Sequence, residues 1–482
     1  MRARILPVAI LALLCVGCRK EGSPDAVARV GDRSIAAREL ERSYSLRPEW
    51  KRGETELGAH LTQLEALIAQ KLYAQEAERL GLEGDSLIRR HLRFLNEKEM
   101  MRGLYRKEIR GKVRIAEAEA RQLYEWSKKR LDFSYVLSPD SLRCSLLAKD
   151  LLTRPDATFP LLAEAAVRTG KRSSVKVGDL PGGLEQILFT SRAGEIRGPF
   201  RTPGGFMAVK VVGAVQEKFL SENEFILQRE KFESLLADRK ADSISARYVA
   251  GLMQEKDLRL NAPVFWTVAE DFFRRVKEEH VDPTKLQSLN VTTDELRLLD
   301  ADLGKMGDSV VASHRDGALT VRQLLESLEN MPGSLRPRAR TPENLKAAIG
   351  MIVRNQVLLK EAERLGMERD PEVLFEYGMQ RDETLASAYY ERRSAEVQVS
   401  PEEVAEFRRT AGASEEQVFF KLNMATLARD AKADRLLKGE LPSLKSKTRI
   451  DVDTVALRSR LKHPDVPLDA DPVRVYVREI FQ

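Results

Sequence analysis

An eight-residue stretch occurs twice in this 482-residue chain, and this repeat limits the possible folds more than any other feature. Glu76–Glu83 reads EAERLGLE and Glu361–Glu368 reads EAERLGME, an offset of 285 residues with seven of eight positions identical. The apolar positions upstream match at the same offset: Leu64, Leu67, Ile68 and Leu72 correspond to Ile349, Ile352, Val353 and Val357. A repeat on this scale indicates that one structural unit is present twice.

Both copies have the same local pattern. A short apolar run and a Gly–Asp turn are followed by a short helix and then by a long helix. The apolar residues of the long helix recur three and four positions apart, which predicts one buried stripe. Thr341 and Pro342 predict the start of this helix in the second copy, and Gly81 and Gly366 are typical of a left-handed C-terminal cap. Each copy is therefore predicted to be a small helical domain fronted by one β-strand.

The first residues are typical of a bacterial targeting segment. Two arginines precede an apolar run over residues 5–16. This run is shorter than the ~20 residues that a membrane-spanning helix needs. A small residue directly before Cys18 resembles the lipoprotein box, although Cys15 stands where that box usually has Leu. The resemblance implies a signal peptide over residues 1–18, a lipid on Cys18 and a membrane-tethered protein on the periplasmic side of the cell envelope. Ordinary secretion as a soluble periplasmic protein is the alternative.

Charge and cysteine content limit the function classes. The chain has 80 basic and 74 acidic residues, a net charge of +6, which is a mixed-sign surface and not the clustered basic face of a nucleic-acid binder. Besides Cys18, only Cys144 lies beyond the targeting segment, so no internal disulfide is expected. The five histidines lack metal-ligand spacing, and we predict no metal and no cofactor.

A different pattern begins at residue 131 and predicts a β-α-α-β-α-β-β module over residues 131–215. Its order follows from alternating short strands and helices, ending in an antiparallel hairpin. The predicted elements are a strand at Phe133–Leu137, helices at Ser141–Leu152 and Phe159–Thr169, a strand at Val175–Leu180, a brief helix at Leu184–Thr190, a strand at Ala193–Phe200, and a last strand at Phe206–Val212. The predicted fold class is α+β and mainly helical, with two strand-plus-helix units and this module inserted into the first of them.

Three strings in this region carry a family resemblance. They are Gly178-Asp179-Leu180, Gly194-Glu195-Ile196-x-Gly198-Pro199, and Gly205–Val211. Together they resemble the parvulin (PpiC-type) prolyl isomerase domain. The repeated unit resembles the N-terminal chaperone domain of SurA- and PrsA-like envelope foldases, and the two resemblances cover most of residues 26–425. They imply a periplasmic chaperone that binds unfolded or extended polypeptides, such as secreted or outer-membrane proteins.

The catalytic positions of the module depart from the family. Parvulins usually carry one His on the first strand and one on the last, and the matching residues here are Tyr135 and Met207. Tyr has one hydroxyl and Met only a weakly accepting thioether, so this pair cannot form the same hydrogen bonds. No catalytic residue is assigned. The remaining cleft positions are apolar: Leu180, Leu184, Phe189 and Phe206.

Three functions follow from these observations. The favoured one is a chaperone whose module binds peptides with weak or no isomerase activity. An active prolyl isomerase, with Tyr135 or another group replacing His, is the first alternative. A structural lipoprotein that binds one fixed partner is the second.

The predicted domain organisation has a discontinuous first unit. It comprises residues 19–130 and a returning segment, 221–260, on either side of the module. The returning segment is predicted to form one long helix from Ser221 to about Gln254, followed by a short strand at Leu258–Leu260. Residues 261–308 are predicted as a helical connector and residues 309–425 as the second unit. Residues 418–482 resemble a truncated second parvulin-like module.

Overall fold

A computed structural model describes residues 25–153, 168–202, 204–216, 221–277, 290–337, 339, 341–410 and 424–469. The fold is mainly helical α+β, as predicted. The described residues form two compact units. The first unit consists of two segments, one up to Gly103 and one from Leu258 onward, and the second unit is the segment Leu104–Asp257. Cys18 lies outside the described residues, and so do residues 418–423 and 470–482 of the module predicted at 418–482.

The first copy of the repeat starts with a β-hairpin and continues as three helices. The antiparallel strands β1 (Ala26–Val30) and β2 (Arg33–Ala36) precede α1 (Ala37–Leu46), α2 (Glu56–Arg79) and α3 (Ser86–Glu108). Gly81 ends α2 in the predicted left-handed conformation, with φ of +71°. The apolar stripe of α2 packs on the hairpin, which buries Leu64, Ile68 and Leu72.

The second unit contains the inserted module. After α4 (Glu117–Ser127) come β3 (Lys129–Ser138), α5 (Ser141–Thr153), β4 (Arg168–Val175), α6 (Gly182–Thr190), β5 (Ile196–Thr202), β6 (Gly205–Gln216) and α7 (Glu222–Gln254). The strands form one antiparallel sheet in the order β4-β3-β6-β5. Gly205 is required between β5 and β6, because its φ is +120° and a Cβ there would lie 2.5 Å from the carbonyl oxygen of Ser138.

One element prediction in the module was wrong in position, and a second is described only at its end. The strand expected at Val175–Leu180 is β4, at Arg168–Val175, and residues 176–180 form a turn. In this turn the backbone N–H of Lys176 donates to the Asp179 carboxylate at 2.8 Å, and Gly178 has φ of +98°, so the chain reverses. Of the helix expected at Phe159–Thr169, residues 159–167 lie outside the described ranges, and the last two belong to β4.

The long helix predicted from Ser221 is confirmed as α7, with Ser221 as its N-cap. We expected it to pack on the first copy of the repeat. In the second unit it packs on α4, which lies within the predicted range 19–130, and Phe225 and Phe232 are buried there beside Tyr124. Both phenylalanines of α7 pack against the buried apolar side of α4, so the apolar side of α7 is buried by this helix.

The second copy has the same order of elements as the first. It is preceded by β7 (Arg259–Leu260), α8 (Ala262–Lys277) and α9 (Thr293–Leu303), and it starts with β8 (Val310–His314) and β9 (Gly317–Thr320). Then come α10 (Val321–Glu329), α11 (Pro342–Arg364), α12 (Pro371–Glu396) and α13 (Pro401–Thr410), followed by α14 (Met424–Lys447), β10 (Ile450–Val452) and α15 (Thr454–Arg460). Gly366 repeats the left-handed cap with φ of +72°.

The two copies exchange their third strands. Strand β7, which follows the first copy in sequence, pairs with β8 of the second copy, and β10, which follows the second copy, pairs with β1 of the first. The registers are equivalent: Leu260 lies opposite Ala312, and Val452 lies opposite Ala28. Each sheet is therefore completed by a segment from the other half of the repeat.

The residues after the exchanged strands are equivalent as well. The backbone N–H of Asn261 donates to the carbonyl of Val311 at 3.0 Å, and that of Asp453 donates to the carbonyl of Val27 at 2.9 Å. A helix starts directly afterwards in both places, as α8 and α15.

Two predictions about the returning segments are corrected by this pairing. The strand at the end of the returning segment, β7, completes the sheet of the second copy and not that of the first. In the region predicted as a truncated parvulin-like module, residues 424–469 form α14, β10 and α15, which complete the first copy. Leu444 and Leu457 are buried in the apolar core of the first hairpin, so that core holds this segment.

Candidate functional site

Five of the six predicted cleft residues lie together in the module. Tyr135, Leu180, Leu184, Phe189 and Met207 belong to or pack against one apolar cluster on one face of the sheet. Tyr135 lies opposite Val209 on the neighbouring strand, and Met207 lies two residues further along, so the pair is diagonal on that face.

Phe206 does not join the other five. It packs on the opposite face of the sheet, against the cluster formed by Val136, Cys144 and Ala208. Successive residues of a strand point to opposite faces, so Phe206 and Met207 are separated. Burial raises the pKa of the Cys144 thiol, and its Sγ lies 3.2 Å from the carbonyl oxygen of Phe206, which fits a packing role for this cysteine.

The predicted cleft is largely filled by its own side chains. Leu180 is 8 % exposed and Phe189 is 4 % exposed. The ring of Trp126 stacks on that of Phe189, with 5.8 Å between centroids. These residues act mainly as core, and the half-buried Tyr135 and Met207 lack the hydrogen-bonding capacity of a His pair.

Two open grooves occur in the other unit, on either side of α12. The tyrosine groove, between α2, α12 and α14, has a volume of about 1010 Å³ and is flanked by Tyr73 and Tyr390. The lining includes small side chains from two helices: α2 contributes Ala66 and Ala69, and α12 contributes Ala386 and Ser387. Burial raises the pKa of Tyr73 to about 12, and its hydroxyl donates to the carbonyl of Leu437 at 3.1 Å.

The leucine groove lies between α3, α12 and the segment 332–335, with a volume of about 840 Å³. Its wall is apolar and open to water: Leu87 is 66 % exposed and Leu335 is 60 % exposed. Burial, together with the charge of Lys98, lowers the pKa of His91 in this groove, so its ring is neutral at pH 7. Arg47, Glu383, Ser387 and Glu391 line both grooves, which places the two side by side.

A buried charge cluster holds the two copies together next to these grooves. Lys71 Nζ lies 2.7 Å from Glu39 and 2.9 Å from Asp382, which also accepts from Arg33 at 2.6 Å. Burial alone would lower the pKa of Lys71, but the charges of Glu39 and Asp382 raise it. Buried ions are tolerated when they are paired in this way, so Lys71 stays charged and joins α1, α2 and α12.

Sequence reasoning expected extended segments to bind in a cradle between the two helical units, but it assigned no binding role to any residue that lines either groove. The alanines of α2 and α12 at helical spacing were a usable signal, because small residues allow two helices to approach closely. The sequence, however, does not say which helix faces which. The groove residues are therefore found only from the packing of α2, α12 and α14.

Comparisons with known proteins add two distant likenesses. No family model matches the chain, and no curated protein matches it. One similar solved structure comes from work on PEB4 and Cj1289, described as SurA-like chaperones of Campylobacter jejuni. Its sequence is 16 % identical, the match covers 48 % of this chain and 97 % of that chain, and the TM-score is 0.21. Another is the peptidylprolyl isomerase PrsA of Bacillus cereus, 11 % identical, covering 47 % of this chain and 90 % of that one, with a TM-score of 0.20. Both are of the SurA or PrsA type that the sequence resembles, and at these TM-scores neither carries an argument about function.

Among the described residues, no helix combines the length and apolar character needed to cross a membrane.

Proposed function

We propose that this protein is an envelope chaperone that holds extended segments of unfolded proteins in the two grooves around α12. The observation that carries the proposal is the open apolar wall of the leucine groove. Exposed apolar surface rimmed by polar residues is typical of a binding surface. The resemblance of the repeated unit to the SurA- and PrsA-like chaperone domain supports the same function.

Suppression of aggregation of several unrelated unfolded proteins tests this proposal. We expect Leu87→Ser with Leu335→Ser to weaken the suppression, because both side chains already face water and their loss removes binding surface with little effect on folding. Leu142→Ser with Leu227→Ser is the matched control, since these leucines are 70 % and 84 % exposed in the other unit. Equal suppression by both double variants would contradict the assignment to this groove. Action on a single protein only would favour the structural lipoprotein with one fixed partner.

The module is proposed to contribute binding and spacing and to have weak or no isomerase activity. Twisting an X–Pro amide crosses a barrier of ~18–20 kcal/mol, and catalysis requires groups that favour the twisted form. Tyr135 and Met207 offer no equivalent of a hydrogen-bonded His pair. An X–Pro isomerisation assay on the full chain decides between this proposal and the active isomerase.

We further propose that Cys18 carries a lipid that tethers the chaperone to a membrane, on the evidence of the residues that precede it. The soluble periplasmic form remains the alternative.

A further inference from the structure

The charge of the tyrosine groove differs in sign from that of the whole chain. The chain has a net charge of +6, whereas the residues that line this groove include six acids and three bases. The acids are Glu49, Glu65, Glu383, Glu391, Asp430 and Asp434, and the bases are Arg47, Arg429 and Lys438. The lining therefore carries a net charge of −3.

Most of these acids already have partners. Glu383 pairs with Arg47, Glu65 pairs with Lys445, Asp434 lies 3.1 Å from Lys438, and Asp430 lies 3.8 Å from Arg429. Glu49 and Glu391 have no ion-pair partner within the described part of the chain, and both are exposed to solvent. Two carboxylates on the rim of the groove are thus available to a bound molecule.

The walls of the groove also suit a cationic side chain. Tyr73 and Tyr390 are half-buried at its sides, with their hydroxyls engaged with backbone carbonyls of α14. An aromatic ring attracts a Lys or Arg head group over its face, and the methylene stem of such a side chain covers apolar surface. The alanines on α2 and α12 leave room for an extended backbone along the floor.

We propose that the tyrosine groove binds extended polypeptide segments in which Lys or Arg alternates with small or apolar residues. This inference rests on the proposed chaperone function and adds the class of client segment. The acidic rim supplies the charge preference, and the tyrosines and the small residues of the floor supply the contact surface.

Binding of labelled peptides to the full chain tests the inference. The peptides share their apolar residues and differ only in carrying Lys, Gln or Glu at the intervening positions. Exposed ion pairs are individually weak, so we expect the Lys peptide to bind about threefold to tenfold more tightly than the Gln peptide. The preference should shrink between ~0.05 M and ~0.5 M salt, because screening shortens the range of exposed charges.

Two double substitutions test whether the preference for the Lys peptide arises in the tyrosine groove. Glu49→Gln with Glu391→Gln should reduce the advantage of the Lys peptide over the Gln peptide, with little change for the Gln peptide. Glu125→Gln with Glu230→Gln removes the same charge from exposed positions of the other unit and should leave the advantage intact.

The possible failures are distinguishable. Equal binding of all three peptides, together with intact suppression of aggregation, would overturn the charge preference and leave the chaperone function standing. The same loss of preference in both double variants would overturn the location in the groove. Absence of binding for every peptide, together with absence of suppression, would overturn the proposed function itself.

Discussion

The exchanged strands predict that a core mutation near the end of the chain destabilises the first copy of the repeat, which lies at the beginning. Leu457 of α15 is 1 % exposed and packs in the cluster that contains Val27 and Ile68. Truncating a buried Leu to Ala costs about 2–5 kcal/mol, from the lost transfer free energy and the cavity that remains. We therefore expect Leu457→Ala to lower the free energy of unfolding of the first copy by an amount in this range.

Hydrogen exchange read by mass spectrometry locates the effect. In Leu457→Ala the amides of residues 26–36 and 56–79 should exchange faster, while those of residues 310–328 keep their protection. Phe265 is the equivalent residue after β7, and it is 6 % exposed. Phe265→Ala should cost about 3–5 kcal/mol and produce the reverse pattern, with protection lost at 310–328.

The reasoning would be refuted if each variant loosened the copy that lies next to it in sequence. That result would mean that each copy keeps its own third strand. Faster exchange of both copies in both variants would instead show that the two copies unfold together.

Four further predictions follow from particular side chains. Asp382→Ala removes the carboxylate that Lys71 and Arg33 share and leaves Lys71 with Glu39 alone, so it should cost up to about 3–5 kcal/mol in urea unfolding. Asp308→Ala, whose side chain is 93 % exposed, should cost little, and equal costs would contradict a role for the cluster. Burial raises the folded-state pKa of Tyr389 from 10 to about 12, so its contribution to stability is fully present below pH ~10 and is lost as the pH rises to ~12. Tyr389→Phe should therefore reduce the loss of stability between these pH values, and an unchanged stability–pH curve would contradict this contribution. Tyr135→His with Met207→His should raise the X–Pro isomerisation rate above that of the unmodified chain, and a high rate before substitution would favour the active isomerase. Cys18→Ser should move the protein from the membrane fraction to the soluble fraction, and unchanged fractionation would exclude a lipid on Cys18.

The amino-acid sequence alone determined the duplication and most of the local elements. Helix caps depend on interactions within a few residues, which the sequence displays directly. Examples are the C-terminal caps at Gly81 and Gly366, the start of α11 at Thr341, and the start of the long helix α7 at Ser221. The alternation of side chains along a strand also separates Phe206 from Met207, and this could have been read from their adjacency.

The tertiary structure decided which segments meet. Strands β7 and β10 have equivalent registers, and nothing in their local sequence states whether β1 or β8 is the partner of either. The grooves depend on the same kind of information, because α2, α12 and α14 are distant in the chain and become neighbours only through packing. Local propensity acts over a few residues, whereas strand pairing and groove formation depend on the burial of apolar surface between distant segments. Because the two halves have matching apolar patterns, more than one pairing of their strands can bury that surface.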